Sequence, residues 1–397
     1  METGSRRELK HLKSIVEEEL KYRLMELSHA IHDHPEQAFE EVNAAQQVSA
    51  FMEEEGFQVT RNVGGMETAI KAVYDSGKNG PAVVFLAEYD ALPEIGHACG
   101  HNVIAATSVG AAAVLSRLVK ETGGRVILMG TPAEEIGGGK IRLIEAGAFN
   151  DIDFALMMHP ADESMIGRGS TACSELVINF YGQSAHSSRP EKGIDALRPL
   201  IQMFNHVNGL LPAVSHRVRI NGIITAGGTA SNVIVDHACG KFLIRSPRRD
   251  EVETILSTLQ HLAKGEAGKI GASVELYHDE IYAERYPNKV MEERFRVHME
   301  NQGVSMIHAD PNEPAGSSDA GNVSMVLPTI HPYLAITGKQ VNSHTREFAA
   351  ASASPRADEM ILKGAAALAM VGYELLVDSE FRESVRKEFE ETVNDLH

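Results

Sequence analysis

The sequence predicts an α/β protein with a mixed central sheet and helices on both faces, into which a ferredoxin-like α+β domain is inserted. Two observations predict this architecture. Strand-like apolar segments alternate with helical segments before residue 172 and after residue 286, which is typical of an α/β sheet. Between these limits the predicted order is βαββαβ, that of a ferredoxin-like sandwich. A chain of 397 residues is also longer than one core usually supports.

The outer domain comprises residues 1–171 and 287–397, and its elements follow from the spacing of apolar residues. Helical spacing predicts an amphipathic helix through the first thirty residues and a second helix over 41–55, ending before Gly56. Alternation over 70–74 predicts a half-buried strand. The next predicted elements are a strand at 82–87, a helix at 103–120, a strand at 125–129, a helix at 140–145 and a strand at 154–158. The continuous apolar character of these three strands indicates burial on both faces.

The inserted domain covers residues 172–286 and changes to alternating strands. Its predicted elements are a strand at 176–180, a helix at 196–204, strands at 218–225 and 236–245, a helix at 252–262 and a strand at 274–277. After residue 286 the chain returns to helix, strand and loop. It is predicted to end in a long helix at 358–375 and a charged tail.

Composition argues against several classes of partner. The net charge is −18 with neutral histidines, and nucleic acid or an anionic membrane would need clustered Lys and Arg instead. No stretch of about 18 apolar residues is evident, so no membrane partner is expected. The polar, basic N-terminus does not fit a secretory signal. Three cysteines, Cys99, Cys173 and Cys239, do not suggest a disulfide framework, so a cytoplasmic protein is expected.

Potential metal ligands follow three of the predicted strands, at the point where each strand ends. The strand at 82–87 runs into Glu88-Tyr89-Asp90 and then His97-Ala98-Cys99-Gly100-His101. The next two strands lead to Glu134-Glu135 and to His159. Ligands of open α/β sheets bind beyond the carboxyl ends of the strands, so these three ends are expected to lie side by side.

Each of these residue types also has a plainer explanation. Most of the 18 histidines are expected to be surface or packing residues, and adjacent acidic residues usually face solvent. A Cys-x-His pair flanked by glycines is less ordinary, since thiolate and imidazole both suit zinc, cobalt or manganese ions. On an extended segment, neighbouring side chains point to opposite sides. One of Glu134 and Glu135 can then bind metal while the other faces a water, whereas His159 alone is also explained as a core histidine.

These motifs resemble the signature of the aminoacylase/carboxypeptidase-type metallopeptidases. Within that family they resemble the amidohydrolase branch, which includes hippurate, auxin-conjugate and aminobenzoyl-glutamate hydrolases. The matching segments are 32–36, 87–93, 97–101, 131–135, 182–186, 227–233, 316–319 and His344, which together span nearly the whole chain. Departures at Asn102 and Ala320 resemble the subgroup of aminobenzoyl-glutamate hydrolases and of dipeptidases acting on β-alanyl or basic dipeptides.

The resemblance implies a role for each matching residue. Two divalent metal ions, zinc, manganese or cobalt, would be held by five ligands: Cys99, which would bridge them, His101, Glu135, His159 and His344. Glu134 would be the general base, and Asp90 would orient a ligand. Asn232, Arg245 and Ser318 would bind the substrate, Arg245 by pairing with a carboxylate. His186 would reach across a homodimer to polarise the scissile carbonyl.

The sequence therefore predicts a metallo-amidohydrolase or peptidase that cleaves the amide bond of an N-acyl amino acid, an aminobenzoyl-glutamate-like conjugate or a dipeptide. The inserted domain would serve as a lid and dimerisation domain. Three alternatives stay open: a non-catalytic binder of amino-acid conjugates, a hydrolase with Cys99 as nucleophile, and a deacetylase or aminohydrolase of the same chemistry. A thiol enzyme would keep working in EDTA, which separates the second alternative from a metal enzyme.

Overall fold

The computed structural model describes residues 2–310, 313, 316–338 and 341–394. The chain divides into two units. The first consists of Met1–Gly169, Tyr286–Ala315 and Asn322–His397, and the second of Ser170–Arg285 with Gly316–Gly321. In sequence, the second unit nearly coincides with the predicted insertion at 172–286. It also takes in Gly316–Gly321, because Gly316 accepts a hydrogen bond from Thr171 N (2.9 Å). The lid and dimerisation roles stay predictions.

The helices and strands are numbered along the chain. The helices are α1 (Glu2–Ile15), α2 (Lys21–Asp33), α3 (Val42–Glu54), α4 (His101–Thr122), α5 (Gly139–Glu145), α6 (Leu197–Leu210), α7 (Arg249–Ile270), α8 (Lys289–Glu300), α9 (Ala320–Ser324), α10 (Arg346–Ala351), α11 (Pro355–Val377) and α12 (Ser379–Asn394). The strands are β1 (Gln58–Arg61), β2 (Ile70–Asp75), β3 (Ala82–Ala87), β4 (Arg125–Gly130), β5 (Phe154–Leu156), β6 (His159–Ala161), β7 (Met165–Ile166), β8 (Ala172–Tyr181), β9 (Arg219–Ala226), β10 (His237–Ser246), β11 (Ser273–His278), β12 (Ile307–His308), β13 (Thr329–Ile330) and β14 (Tyr333–Ala335).

The main sheet of the first unit is mixed, as predicted. Its strand order is β1-β2-β4-β3-β5-β13. β3 runs parallel to both β4 and β5, and β13 runs parallel to β5, whereas β2 pairs antiparallel with β1 and β4. Every residue of β3 is buried, which explains its uninterrupted apolar sequence. A second sheet of the same unit has the order β12-β7-β14-β6.

The core of the first unit is built on α4, which packs against the sheet and against α2 and α11. Gly110 allows this close approach. A Cβ at this position would lie 2.8 Å from Leu24 Cδ1 and 3.0 Å from Ala365 Cβ. Small residues at such helix crossings let the backbones come together, and larger ones force them apart.

Two helices of this core are long and apolar enough to cross a membrane, judged by length and composition alone. They are α4 and α11, and 94% and 78% of their apolar windows are buried inside the protein. Segments of this kind were not expected from the sequence, yet their burial is that of core helices. The expectation that the protein has no membrane partner stays a prediction.

The second unit contains an antiparallel sheet in the order β11-β8-β10-β9. With α6 after β8 and α7 after β10, its element order is βαββαβ, as predicted. Alternate residues of β8, from Ala172 to Phe180, are buried, and they join a core to which α6 and α7 also contribute. β9 lies at one edge of the sheet and exposes Ile223 and Ile224.

Several elements differ from the sequence predictions, among them the N-terminal helix, in which Val16–Leu20 forms a π-helical turn between α1 and α2. The charged tail is the helix α12, which buries Phe381 and Val385 at an i, i+4 spacing. β1 was not predicted, because its residues are mostly exposed and polar at the edge of the sheet. The strand predicted at 154–158 ends at Leu156, and His159 begins β6 of the second sheet instead. Thus β5 does not itself carry His159.

Candidate metal centre

The carboxyl end of β3 places two acidic side chains inside the protein. Because β3 lies between its parallel neighbours β4 and β5, the carboxyl ends of the three strands share one edge of the sheet. Glu88 and Asp90 follow β3 directly, and both reach His101: Glu88 Oε2 lies 3.5 Å from His101 Nε2, and Asp90 Oδ1 lies 2.9 Å from His101 Nδ1. They are 0% and 1% exposed. Buried carboxylates need positive charges or donors around them.

Asp90 holds two of the predicted metal ligands in place. Its Oδ1 accepts a hydrogen bond from His101 Nδ1 (2.9 Å), and its Oδ2 accepts one from the backbone N of Glu135 (2.9 Å). His101 is the first residue of α4, directly after Gly100 in the left-handed conformation. With Nδ1 committed to Asp90, the Nε2 of His101 is the ring atom available to a metal.

The predicted ligands meet in three overlapping groups in which the ligand atoms lie within 4.8 Å of one another. The groups are Cys99, His101 and His159; Cys99, Glu135 and His344; and Glu88, His101 and Glu134. Cys99 and His101 each belong to two groups, so the grouping is compatible with Cys99 as a bridging ligand but does not single it out. The structure thus brings all five predicted ligands together with Glu134 and Asp90, while the individual roles of these residues stay predictions.

Individual distances show how tight the cluster is. Cys99 Sγ lies 3.5 Å from His159 Nε2, and His344 Nε2 lies 3.4 Å from Glu135 Oε1. His101 Nε2 is 3.8 Å from Glu134 Oε2 and 3.9 Å from Glu135 Oε1. These separations suit donor atoms that surround a common cation.

Two of the loops that carry predicted site residues contain a residue with a strained backbone conformation. Ala133, immediately before Glu134, has φ +60°, and His344 has φ +63°, a left-handed conformation that is uncommon for residues other than glycine. Each is held by a hydrogen bond. Ala133 N donates to Glu41 Oε1 (2.8 Å), and His344 N donates to Ala98 O (2.8 Å). Such strain concentrates at functional sites, where the surrounding structure maintains it.

The electrostatics of the cluster are strongly coupled. Burial by itself lowers the pKa of His101, but the charge of Asp90 and its hydrogen bond to the ring outweigh burial and raise it well above its usual value. Burial and the charge of Glu135 raise the pKa of the Cys99 thiol well above its usual value. Burial acts to raise the pKa of Glu135, yet the hydrogen bond from His344 and the charge of His101 lower it. The raised pKa values keep protons on His101 and Cys99, where they offset the negative charge of the carboxylates. A bound metal would displace these protons.

The residues present fit a divalent metal. Among the described residues, Glu88 Oε2 and His101 Nε2 have no hydrogen-bond partner although both are buried. Buried polar atoms without partners are costly, and a cation would satisfy them. Thiolate, imidazole and carboxylate donors together suit zinc, cobalt or manganese.

The other predicted residues lie in the second unit. His186 forms a bridge with Val233, and Asn232 O accepts a hydrogen bond from Ser187 N (2.9 Å), so His186 and Asn232 are neighbours. His186 Nδ1 is also 2.8 Å from Ser188 Oγ. Arg245 on β10 donates to Ser317 Oγ (2.9 Å), next to the buried Ser318. Within this unit the structure thus brings His186 close to Asn232, and Arg245 close to Ser318. Substrate binding by these residues stays a prediction.

Two charged residues beside the centre received no role in the sequence analysis: Glu88, named there only as a residue at a strand end, and Lys140, which was missed. Glu88 belongs to one of the candidate ligand groups, and the fully buried Lys140 lies 2.6 Å from it. The alternation Glu88-x-Asp90 after a buried strand was a signal for Glu88. No comparable signal marked Lys140, which looks like an ordinary helix residue in the sequence.

Comparison with known proteins gives consistent matches. A sequence model of peptidase family M20/M25/M40 matches residues 84–371. The Xaa-Arg dipeptidase of Mus musculus is 35% identical over 408 residues, which cover 98% of this chain and 94% of that protein. One of the p-aminobenzoyl-glutamate hydrolase polypeptides of Escherichia coli (strain K12) is 32% identical over 292 residues, or 68% of this chain and 60% of that protein.

Solved structures share the fold. An aminobenzoyl-glutamate utilization protein from Klebsiella pneumoniae superposes with a TM-score of 0.69 at 21% identity, covering 91% of this chain and 97% of that one. A dinuclear metal-binding peptidase of Bacillus subtilis superposes with a TM-score of 0.64 at 22% identity, covering 89% and 99%. At these identities the likeness shows the fold alone, and it confirms the predicted α/β class.

Proposed function

Because this chain belongs to peptidase family M20/M25/M40, we propose that it hydrolyses the amide bond of a dipeptide or an N-acyl amino acid in a metal-dependent reaction. The family predicted from the motifs is thereby confirmed, and so is the class of enzyme, an amide-bond hydrolase. One observation carries the proposal: thiol, imidazole and carboxylate ligands converge beside the buried Glu134.

We assign two divalent cations to the centre. Cys99 would be shared between them, as the resemblance of its motif implies, and its membership of two ligand groups is compatible with that role. When bound, such cations acidify water and polarise a carbonyl oxygen. The choice among zinc, manganese and cobalt is left to the assay, since the donor set suits each of them.

The protein's own groups would supply the proton transfers. Glu134 would accept the proton of the attacking water and return it to the leaving amine, a role that typically accelerates a reaction about 10²–10⁴-fold. Asp90 would keep His101 in the tautomer that presents Nε2. His186, Asn232, Arg245 and Ser318 are assigned to substrate and transition-state binding on the resemblance of their motifs, with His186 acting across a homodimer.

Dipeptides with a C-terminal basic residue are the first substrates to test. The relative named Xaa-Arg dipeptidase matches nearly the full length of this chain, whereas the aminobenzoyl-glutamate hydrolase polypeptide matches about two thirds of it. A cytoplasmic location is part of the proposal, because all three cysteines are free thiols in this structure.

The experiment is a hydrolysis panel with zinc, manganese or cobalt added to the chelator-stripped protein. The panel contains basic dipeptides, β-alanyl dipeptides, aminobenzoyl-glutamate and N-acyl amino acids. Release of the free amine that stops in EDTA is expected. Hydrolysis that persists in EDTA would favour a thiol mechanism, and binding without turnover would favour the non-catalytic alternative.

Replacing the proposed base gives the sharpest prediction. Glu134→Gln removes the proton acceptor but keeps the shape of the side chain, so turnover is expected to fall by about 10²–10⁴-fold. Metal content, measured by elemental analysis, is expected to remain that of the wild type. Wild-type turnover in the metal-loaded variant would refute this role for Glu134.

A further inference from the structure

A lysine is delivered to the metal centre by an unusually tight turn. Lys140 is the second residue of α5, and it follows three glycines of which Gly137 (φ +112°) and Gly138 (φ +63°) take positive φ angles. A Cβ on Gly139 would lie only 1.9 Å from the carbonyl oxygen of Pro132. The start of α5 therefore packs directly against the segment that leads into Glu134 and Glu135. This packing carries Lys140 inward.

The ammonium group of Lys140 is completely buried. Its Nζ lies 2.6 Å from Glu88 Oε1, and the two side chains are 0% and 1% exposed. A lysine is almost never fully buried unless its charge is paired. Glu88 is thus a counter-ion of Lys140 at contact distance, and a buried ion pair of this kind is destabilised when one of its partners is removed.

The other oxygen of Glu88 points into the metal cluster. Glu88 Oε2 accepts no hydrogen bond from the described residues and lies 3.5 Å from His101 Nε2. Together with Glu134 these two residues form one of the groups able to hold a cation. The carboxylate of Glu88 therefore contacts the Lys140 ammonium through Oε1 and faces the candidate metal position through Oε2.

The contact between Lys140 and Glu88 changes the negative charge that the cluster offers to a cation. Four largely buried carboxylates surround the centre, those of Glu88, Asp90, Glu134 and Glu135. Lys140 neutralises one of them before any metal binds. A positive charge held this close to a cation site opposes the entry of a further cation, and it withdraws a carboxylate that would otherwise attract one.

We propose that Lys140 is a positioning residue that binds one oxygen of Glu88 and, by neutralising this carboxylate, weakens cation binding at the Glu88–His101–Glu134 side of the centre. The proposal rests on the proposed function insofar as the centre binds divalent cations. A merely structural lysine would support metal binding, so its loss would weaken binding. A lysine that competes for Glu88 has the opposite effect on affinity.

The test measures Mn²⁺ binding by the full-length, metal-stripped protein in competition with a chelator of known affinity. Lys140→Met, which keeps the length of the side chain and removes its charge, is expected to bind Mn²⁺ about tenfold more tightly or better. Glu88→Gln removes a negative charge while the ammonium of Lys140 stays beside the centre, and this variant is expected to bind Mn²⁺ about tenfold more weakly. The double variant Lys140→Met/Glu88→Gln removes both charges and is expected to return close to the wild-type affinity.

The three variants keep the proposal open to refutation even if Lys140→Met fails to fold. In that case, weaker binding by Glu88→Gln together with near-wild-type binding by the double variant supports the proposal. Unchanged or weaker binding by a folded Lys140→Met overturns it, as does unchanged or tighter binding by Glu88→Gln. If the wild type hydrolyses its substrates while the variants bind Mn²⁺ with unchanged affinity, only the role of Lys140 is lost. A wild type without saturable Mn²⁺ binding overturns both proposals.

Discussion

Asp90 contacts two ligand-bearing groups at once, and the first prediction at the residue scale follows from this. Asp90→Asn keeps the shape but can no longer accept both hydrogen bonds as a charged group. Loss of such a supporting carboxylate is expected to weaken metal affinity about 10–100-fold. The measurement is chelator competition on the stripped protein.

The matched control for this change is Asp151→Asn. Asp151 is half exposed and pairs with Lys71 and Arg125 at the surface. The Asp151→Asn variant is expected to keep the metal affinity of the wild type, because surface ion pairs contribute little to the stability of the folded protein. Equal affinities for both variants would contradict the orienting role of Asp90.

Glu41 carries a prediction about pH. Burial, and then the charge of Asp90, raise the pKa of Glu41 to about 7. A carboxyl whose pKa is raised in the folded state stabilises the fold fully below its unfolded pKa of about 4.5, and this contribution is lost as the pH rises through about 7. In Glu41→Gln this contribution is absent, and the amide can still accept from Ala133 N.

The measurement is the free energy of unfolding in urea between pH 4.5 and 8. Relative to Glu41→Gln, the wild type is expected to lose on the order of 3 kcal/mol over this range. Glu67→Gln, at an exposed position nearby, is the control and is expected to follow the wild type. Parallel curves for the wild type and Glu41→Gln would contradict the raised pKa.

At the scale of elements, alanine substitutions at two helical glycines, Gly110 and Gly265, are expected to change the stability of the protein in opposite directions. Gly110→Ala would press its Cβ against Leu24 and Ala365 where α4 meets α2 and α11. Overpacking of this kind costs about 1–3 kcal/mol, which exceeds the gain in helix propensity of about 1 kcal/mol. The variant is therefore expected to be less stable in urea unfolding.

Gly265→Ala is the matched control in α7. No atom lies within 4 Å of the Cβ that this change adds. It is expected to stabilise the protein by about 0.5–1 kcal/mol, because glycine is disfavoured inside an exposed helix. The same sign for both changes would show that propensity, and not close packing at Gly110, decides the outcome.

The sequence predicted β3 and β4 well, because their apolar runs are bounded by polar residues or, before β3, by Gly80-Pro81. It also predicted which residues gather at the centre, since the motifs follow buried strands. The strand before His159 was predicted two residues too long, because one apolar run covers β5 and the approach to β6, where His159 lies. Lys140 was missed because only the tertiary packing of Gly139 against Pro132 shows that this helix residue faces inward.

At the scale of the whole molecule, metal removal is expected to lower thermal stability. Ligands that bind only the folded state stabilise it, by about 2.7 kcal/mol at a hundredfold excess over the dissociation constant. Stripping the metal also leaves the buried carboxylates of the centre facing one another. The unfolding midpoint measured by calorimetry is expected to fall in EDTA and to recover when Mn²⁺ is returned in excess. An unchanged midpoint would contradict metal binding to the folded state.

The predicted ligand His344 lies far along the chain from the other four predicted ligands, Cys99, His101, Glu135 and His159, and the whole second-unit segment Ser170–Arg285 intervenes. During synthesis on a ribosome, the first four ligands emerge while the fifth is still untranslated. A nascent chain can therefore gather only part of the coordination set. Binding of the complete set of metal ions therefore has to follow the translation of His344, late in the synthesis of each chain.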